Sequence, residues 1–494
     1  MSRTTRTGRP PRVLALADDL SGAAETAAAL GRPRGRTVRI VLGPVTAPPL
    51  DGEAVVLDLD TRQLSAGEAA SAVRDALAHA DGDVVLKKID SLLRGNLATE
   101  TAAYAAGAAG VVIAPALPVA GRTVRDGVVH LHGTPLHATD AWRAEQRRAP
   151  ESVGAALGDI PTRVVPLSVV RAPVLTLSGR LRTLVAKGHH PVCDAETDAD
   201  LDAIAEAALH IGPDVRLLGT GGLAAALGRR LVGADGAAPA AAGLPTAADT
   251  ERDAAAHGER DGIGHAERDA AAHTERDGAA HCERDGTAHT ERDATGTPGR
   301  PLLVVVGTAE PTAVAQIAQL VAAGACHVPL PAHTLTQHTL TDHRARHTHM
   351  DHRAPHPLVP APDGITVVSI AGGVVVDPGA ARGLVAGLAR TVAEAAHGSD
   401  LVLTGGETAR RVLDTLGVRE LLPVGQIHHG AVHSRTPDGR SVVTRPGSFG
   451  DTDSLLRIAR ALRPPPQPMD VAGSTRPDHP AVPPASFAPQ GEPT

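Results

Sequence analysis

The sequence predicts an α/β protein of two domains, each built on a mainly parallel sheet flanked by helices, with low-complexity His-rich insertions. Three observations carry that prediction. Short apolar runs alternate with Ala-rich stretches of helical length, and polar turns follow the runs rather than a continuing strand pattern. A chain of 494 residues also exceeds one ordinary core. Hydrophobic residues make up 42% of the chain and aromatics only 1%, so the cores must be built from Ala, Val, Leu and Ile.

The first domain spans residues 12–233. Residues 13–17 (VLALA) form a buried strand, after which DDLSG opens an Ala-rich helix that stops near Gly31. Residues 55–59 (VVLDL), 84–88 (VVLKK) and 111–116 (VVIAPA) are further buried strands, each followed by a polar turn. In parallel sheets ligands bind beyond the carboxyl ends of the strands, where these turns fall. GTGGLA at 219–224 reads as a tight turn into a packed helix, not a dinucleotide fingerprint.

Residues 234–300 are expected to be a disordered linker. Within it Glu-Arg-Asp recurs at 251, 259, 267, 275, 283 and 291, with a histidine between copies. Eight residues leave roughly 80° of drift per copy on a helix, so no apolar stripe forms and nothing stacks as a solenoid. Opportunistic Zn²⁺ or Ni²⁺ binding by histidine and carboxylate is the sharper alternative. The second domain spans 301–463, with a His-rich surface insertion at 334–363, and a Pro-rich disordered tail runs over 464–494. Its strands are 302–307 (LLVVVG) and LVLT before Gly405; PTAVAQIAQLVAAG and ARRVLDTL are helices, the latter ending at Gly417.

A formal net charge of −7 with interspersed signs offers no basic face to a nucleic acid. Three cysteines lie far apart with no CxxC, which argues against a disulfide framework or thiolate zinc site and fits a reducing cytoplasm. The apolar run after the basic N-terminus is too short for a signal peptide, and no stretch approaches the ~20 apolar residues of a membrane span. No GxxxxGK[ST], protein-kinase, GxSxG or HExxH motif is present.

Five clusters carry candidate chemistry. Asp18 and Asp19, between a strand and a helix, suit proton abstraction from a hydroxyl or Mg²⁺ binding through water; helix capping would account for only one of the two. Lys88, Asp90, Ser91 and Arg94 lie in KKIDSLLRGN, a donor-rich turn suited to a hydroxylated acid, with arginine able to grip a carboxylate bidentately. Gly121, Arg122 and Thr123 follow a strand and a Pro-rich turn; the nearby His130, His132 and His137 read as strand and turn residues. Gly405, Gly406, Glu407 and Thr408 open a helix whose N-terminus suits a phosphate. Gly447 and Gly450 lie in TRPGSFGD, a glycine-rich loop after a strand.

Taken in order, ADDLSGAAE, KKIDSLLRGN with Glu100, APALPVAGRT, LLGTGGLAAAL, VVVGTAEPTAVAQI, LVLTGGETARRVL and TRPGSFGDTDSLL resemble the four-carbon acid sugar kinase family, which includes 3-oxo-tetronate kinases. The resemblance covers nearly all of 12–463 outside the insertions. It implies an acid-sugar-binding N-terminal domain, a nucleotide-binding C-terminal domain, and transfer of the ATP γ-phosphate to the terminal hydroxyl of a 3-oxo-tetronate or tetronate, with Mg²⁺. Asp18 and Asp19 would be catalytic, Asp19 or its neighbour serving as base. Asp90, Ser91, Arg94 and Gly121 to Thr123 would hold the sugar; Thr308, Gly405 to Thr408, and Gly447 to Gly450 would surround ATP. Three positions depart from the family pattern: Thr308 where serine is commoner, Arg445 where lysine is usual, and Ser448 where glycine is. Threonate, erythronate or a hydroxylated amino acid are alternative acceptors, and a non-catalytic acid-sugar sensor is the alternative of a different class. Partners are the small acid and ATP; the oligomeric state is open, a homodimer being one option.

Overall fold

The structure, a computed structural model, describes residues 9–31, 36–44, 47–143, 145, 147–231, 300–308, 310–337, 358–361, 364–371, 378–447 and 450–464. The octapeptide repeats, most of the 334–363 insertion, the Pro-rich tail, Ser448 and Phe449 lie outside the described residues.

In the N-terminal half the order is β1 (Val13–Ala17), α1 (Leu20–Gly31), β2 (Val38–Leu42), β3 (Ala54–Asp58), α2 (Ala66–His79), β4 (Val84–Lys88), α3 (Leu97–Ala105) and β5 (Gly110–Ala114). A small antiparallel sheet follows: β6 (Arg122–Arg125), β7 (Val128–Leu131) and β8 (Thr134–Pro135). Then come α4 (Val153–Leu157), β9 (Thr162–Val165), α5 (Leu167–Val170), α6 (Val174–Ala186), β10 (His190–Cys193), α7 (Asp198–Leu209), β11 (Val215–Gly219) and α8 (Gly221–Arg230). The C-terminal half runs β12 (Leu302–Val306), α9 (Pro311–Ala322), β13 (Cys326–Pro331), α10 (Ala332–Gln337), β14 (Ile365–Ala371), α11 (Pro378–His397), β15 (Asp400–Thr404), α12 (Gly406–Thr415), β16 (Glu420–His428), β17 (Ala431–Arg435), β18 (Ser441–Arg445) and α13 (Ser454–Leu462).

β1, β3, β4, β5 and β12 are buried along their whole length, as strands covered by helices on both faces must be. They alternate with helices that start on capping residues: Ser65 with Glu68 before α2, and Thr197 with Asp200 before α7, form reciprocal boxes. Residues 334–337, assigned from sequence to the insertion, instead belong to α10, where Leu335 is buried in the core. An apolar residue amid histidines and threonines gave no periodicity to read.

The strands join into one sheet ordered β13-β14-β12-β15-β18-β17-β16-β2-β3-β1-β4-β11-β5-β10-β9. From β2 to β9 and from β13 to β18 all pairs are parallel; β18, β17 and β16 form an antiparallel meander. The halves meet where β16 pairs antiparallel with β2, with Leu421 opposite Ile40. Each half changes direction at its own switch point, around β1 in the first and β12 in the second. The loops after β1, β3, β4 and β5, and those after β12, β15 and β18, carry the candidate site residues.

Candidate active site

Asp18 and Asp19 form the turn between β1 and α1. Asp19 Oδ1 accepts from the Gly22 N–H at 2.9 Å and so caps α1, while its Oδ2 accepts from Arg62 Nη1 at 2.9 Å. Capping and site roles thus coincide in one carboxylate. Arg62 Nε donates to Asp18 Oδ2 at 2.9 Å, and Arg62 Nη2 lies 3.9 Å from Asp90 Oδ1. Arg62 was not singled out in the sequence. It arrives because β1 and β3 are parallel neighbours, with the Thr61 and Arg62 N–H groups donating to the Asp18 carbonyl at 3.0 and 3.2 Å.

The same arginine treats the two aspartates differently. Burial works to raise Asp18, but Arg62, Lys87 and Lys88 more than offset it and hold the carboxyl below its ordinary range. At Asp19 burial prevails over Arg62, with repulsion from Asp18 adding to it, so its affinity for a proton is raised. Two adjacent carboxylates pushed apart in this way are the arrangement that separates an acceptor of protons from a fixed charge.

On the next loop Asp90 is clamped by Arg94, whose Nε and Nη2 reach its two oxygens at 2.8 and 2.9 Å. Desolvation of Asp90 is outweighed by this fork and by Arg62, so its pKa is held far below the usual range. Arg94, expected from sequence to be a carboxylate grip for the ligand, therefore spends its fork internally. The turn through Leu93, at φ +61°, folds residue 94 back onto residue 90. Lys88 Nζ lies 3.3 Å from Glu25 Oε2. Burial alone would lower Lys88, but Glu25, Asp19 and Asp18 raise it and keep it charged. Glu25 in turn lies against Gly221, at the N-terminus of α8, where a β-carbon would collide with its carboxylate. The GTGG turn thus receives an internal carboxylate, as a packed turn would.

Arg122 opens β6. Its Nη1 donates to Ser91 Oγ, and its Nε is buried with no hydrogen-bond partner in the structure. Desolvation lowers its pKa. Gly121 supplies the left-handed turn (φ +64°) before it and backs onto His132; Thr123 pairs with His130 within the small sheet. Of these three positions, Arg122 lines the cleft and the other two shape its approach.

The second domain completes the site. A cleft of about 310 Å³ is lined by Asp19, Ser21, Arg62, Lys88, Asp90, Ser91, Arg94 and Arg122 on one wall and by Glu310, Gly430 and Pro446 on the other. Gly405 has φ +96° and donates its N–H to the Arg445 carbonyl at 2.9 Å. A β-carbon on Gly406 would stand 2.6 Å from Asp19 Oδ2 and 3.1 Å from Ser21 Oγ. One on Gly447 would stand 3.5 Å from Thr308 Cγ2 and 3.9 Å from Gly405 Cα. Thr308, Gly405, Gly406 and Gly447 are therefore brought together where α9 and α12 begin. Thr408 sits behind them, filling the space a side chain at Gly307 would need. Glu407 is half-buried and raised by desolvation. Gly450 packs instead against Ser454 and His428. Arg445 is buried beneath the loop, donates to Gln316 Oε1 at 2.7 Å, and is pushed down by burial to about 10.

A wall of ion-paired carboxylates and cations facing glycine-lined helix N-termini defines a small-molecule phosphotransferase with an alcohol acceptor. Residues 13–227 match the family model of a sugar-binding N-terminal domain and residues 303–455 that of a nucleotide-binding C-terminal domain. The chain belongs to the four-carbon acid sugar kinase family. It is 29% identical over 465 residues to a D-threonate kinase of Cupriavidus necator, covering 91% of this chain and 97% of that protein. A D-threonate kinase of Bordetella bronchiseptica is 29% identical over 473 residues, covering 92% and 98%. A crystal structure of a Salmonella typhimurium LT2 protein, 20% identical, shares the fold with a TM-score of 0.61 over 91% of this chain and 99% of that one. Among the described residues no helix is long and apolar enough to cross a membrane.

Proposed function

We propose that this kinase transfers the γ-phosphate of ATP to the terminal hydroxyl of a four-carbon acid in the cytoplasm, with D-threonate as its acceptor. Among the acids the sequence leaves open, D-threonate ranks ahead of 3-oxo-tetronate because both relatives matched over nine-tenths of the chain carry that name. The observation that carries the reading is the meeting of Asp19 with Gly406 beside a cleft walled by both domains. The two touch, so the triphosphate approaches from the side of Thr308, Gly405 and Gly447.

The residues divide the work. Arg122, which has no carboxylate within ion-pair distance among the described residues, receives the acid's carboxylate, and Lys88 and Ser91 line the same wall. Asp19 takes the hydroxyl proton as that oxygen bonds to the γ-phosphorus and the bond to the ADP oxygen breaks. Asp18 and Arg62 hold Asp19 in place. The free N–H groups opening α9 and α12 face the phosphates. Ser21 Oγ, which lines the cleft and is buried with no hydrogen-bond partner in the structure, is a hard oxygen donor of the kind Mg²⁺ takes. Ser21 would hold the ion together with the phosphates, and Mg²⁺ would neutralise charge on them. Both described cysteines are free, which suits the cytoplasm.

A coupled ATP-consumption assay over D-threonate, erythronates, their 3-oxo forms and hydroxylated amino acids tests this. D-Threonate should give the highest kcat/KM. ATP consumption with none of the four-carbon acids would overturn the proposal.

A further inference from the structure

Residues 58–62 read Asp-Leu-Asp-Thr-Arg, a short run with no motif to mark it. In the fold it is the turn after β3, and its charged residues point in two directions. Arg62 holds Asp18 and Asp19. Asp58 and Asp60 cross to the nucleotide domain. Asp58 Oδ2 accepts from Arg410 Nη1 at 2.9 Å, the Asp58 carbonyl accepts from the same nitrogen at 3.2 Å, and Asp60 Oδ2 pairs with Arg411 Nη2 at 3.0 Å.

Arg410 and Gly406 are one helical turn apart on α12, so one face of the helix presents Gly406 to Asp19 and plants Arg410 on Asp58. Asp58 is 1% exposed and Arg410 8%. Arg410 Nε is also held by Asp414, at 3.1 and 3.0 Å, which fixes the guanidinium from its own helix. The half-buried Asp60–Arg411 pair beside it is more open to water and the weaker of the two; the buried one cannot lose a partner without leaving a charge stranded.

We propose that Asp58 and Arg410 are positioning residues for phosphoryl transfer, holding the N-terminus of α12 at its working distance from Asp19. The assignment rests on Asp19 and α12 being the two sides of the reaction. Displacement of about an ångström at a reacting pair costs up to about a hundredfold in rate, so a buried pair one turn from the contact has leverage on kcat. Burial, only partly offset by Arg410, pushes Asp58 up to about 7. The groups facing Asp58 are Arg410 on α12, Asp60 on its own turn, and Asp19 after β1.

The test uses the full chain with Arg410→Gln, Arg410→Lys, Asp58→Asn and the double variant Asp58→Asn/Arg410→Gln. For Arg410→Gln, kcat should fall about 10- to 100-fold while KM for D-threonate, and its binding without nucleotide, stay within about twofold. Arg410→Lys should recover most of the loss, and the double variant should be no slower than the worse single one. Asp58→Asn should also remove an acid limb of kcat near pH 7, leaving any limb due to Asp19. Wild-type kcat in folded Arg410→Gln or Asp58→Asn overturns the proposal, as does a loss that disappears when activity is expressed per folded molecule. If Arg410→Gln does not fold, Arg410→Lys and Asp58→Asn decide alone, by the same criteria. Asp19→Asn is run alongside: an active Asp19→Asn sinks the underlying assignment of Asp19, a result distinct from any outcome at Arg410.

Discussion

Gly406, the first residue of α12, is pressed against Asp19 so closely that a methyl group there would stand 2.6 Å from the carboxylate oxygen. Two segments nearly 400 residues apart in sequence therefore share one point in space. Gly406→Ala should force α12 away from Asp19 without touching Arg122, Lys88 or Ser91. The expected result is a loss of about a hundredfold in kcat with D-threonate binding retained. Calorimetry with the acid alone, beside steady-state kinetics, checks both halves; a variant with normal kcat would show that the contact is incidental.

The two early aspartates should separate under mutation. Asp19→Asn removes the proton acceptor and should cost about 10²- to 10⁴-fold in kcat, with the fold intact because Asn can still cap α1. Asp18→Asn leaves Arg62 with a neutral neighbour at a buried position, so its main signature should be lower stability. Thermal unfolding and kinetics on the two proteins check the division, and equal kinetic losses without a difference in unfolding would contradict it.

Arg122 and Arg94 make an analogous pair among the cations. Arg122 has no carboxylate partner among the described residues, so Arg122→Leu should raise KM for the acid about 10- to 100-fold, the scale of one charge-assisted contact. Arg94→Leu instead strands Asp90, whose charge Arg94 and Arg62 together sustain. It should destabilise the protein and affect KM only secondarily. Lactones or amides of the acid, which lack the carboxylate, should discriminate poorly between wild type and Arg122→Leu.

What sequence made legible here follows from the range of the interactions. The buried strands, the acidic turn after β1 and the glycine turn before α12 are local patterns, and each stands where its pattern falls. Arg62, Glu25 and the Asp58–Arg410 pair were not legible, because their partners lie 28 to 352 positions away and meet them only in three dimensions. Arg94 shows the converse: a residue chosen correctly for a charged turn, whose partner is its own neighbour at i−4. The meander β16–β18, which stitches the halves into one sheet, carries His, Gly and Pro in place of a clean apolar alternation. Its strand character comes from pairing with β2 and β15 rather than from its own pattern.

Stability and activity should part company over pH at Asp58. Burial pushes this carboxyl up to about 7, above its ordinary value near 4 in an unfolded chain. The fold therefore favours the protonated form, so Asp58 contributes stability that is full below about pH 4 and is lost as pH rises through about 7. The unfolding free energy of the wild type, measured against that of Asp58→Asn, should fall as pH rises across that window, by an amount on the order of a few kcal/mol. Asp18 and Asp90, held low, lose their contributions only on the acid side of that window and cancel in the comparison. Transfer needs the ionised form that grips Arg410, so kcat should climb over the same interval in which this contribution to stability declines. Parallel stability profiles for the two proteins would place the Asp58 titration elsewhere and remove the basis for the expected rise in kcat.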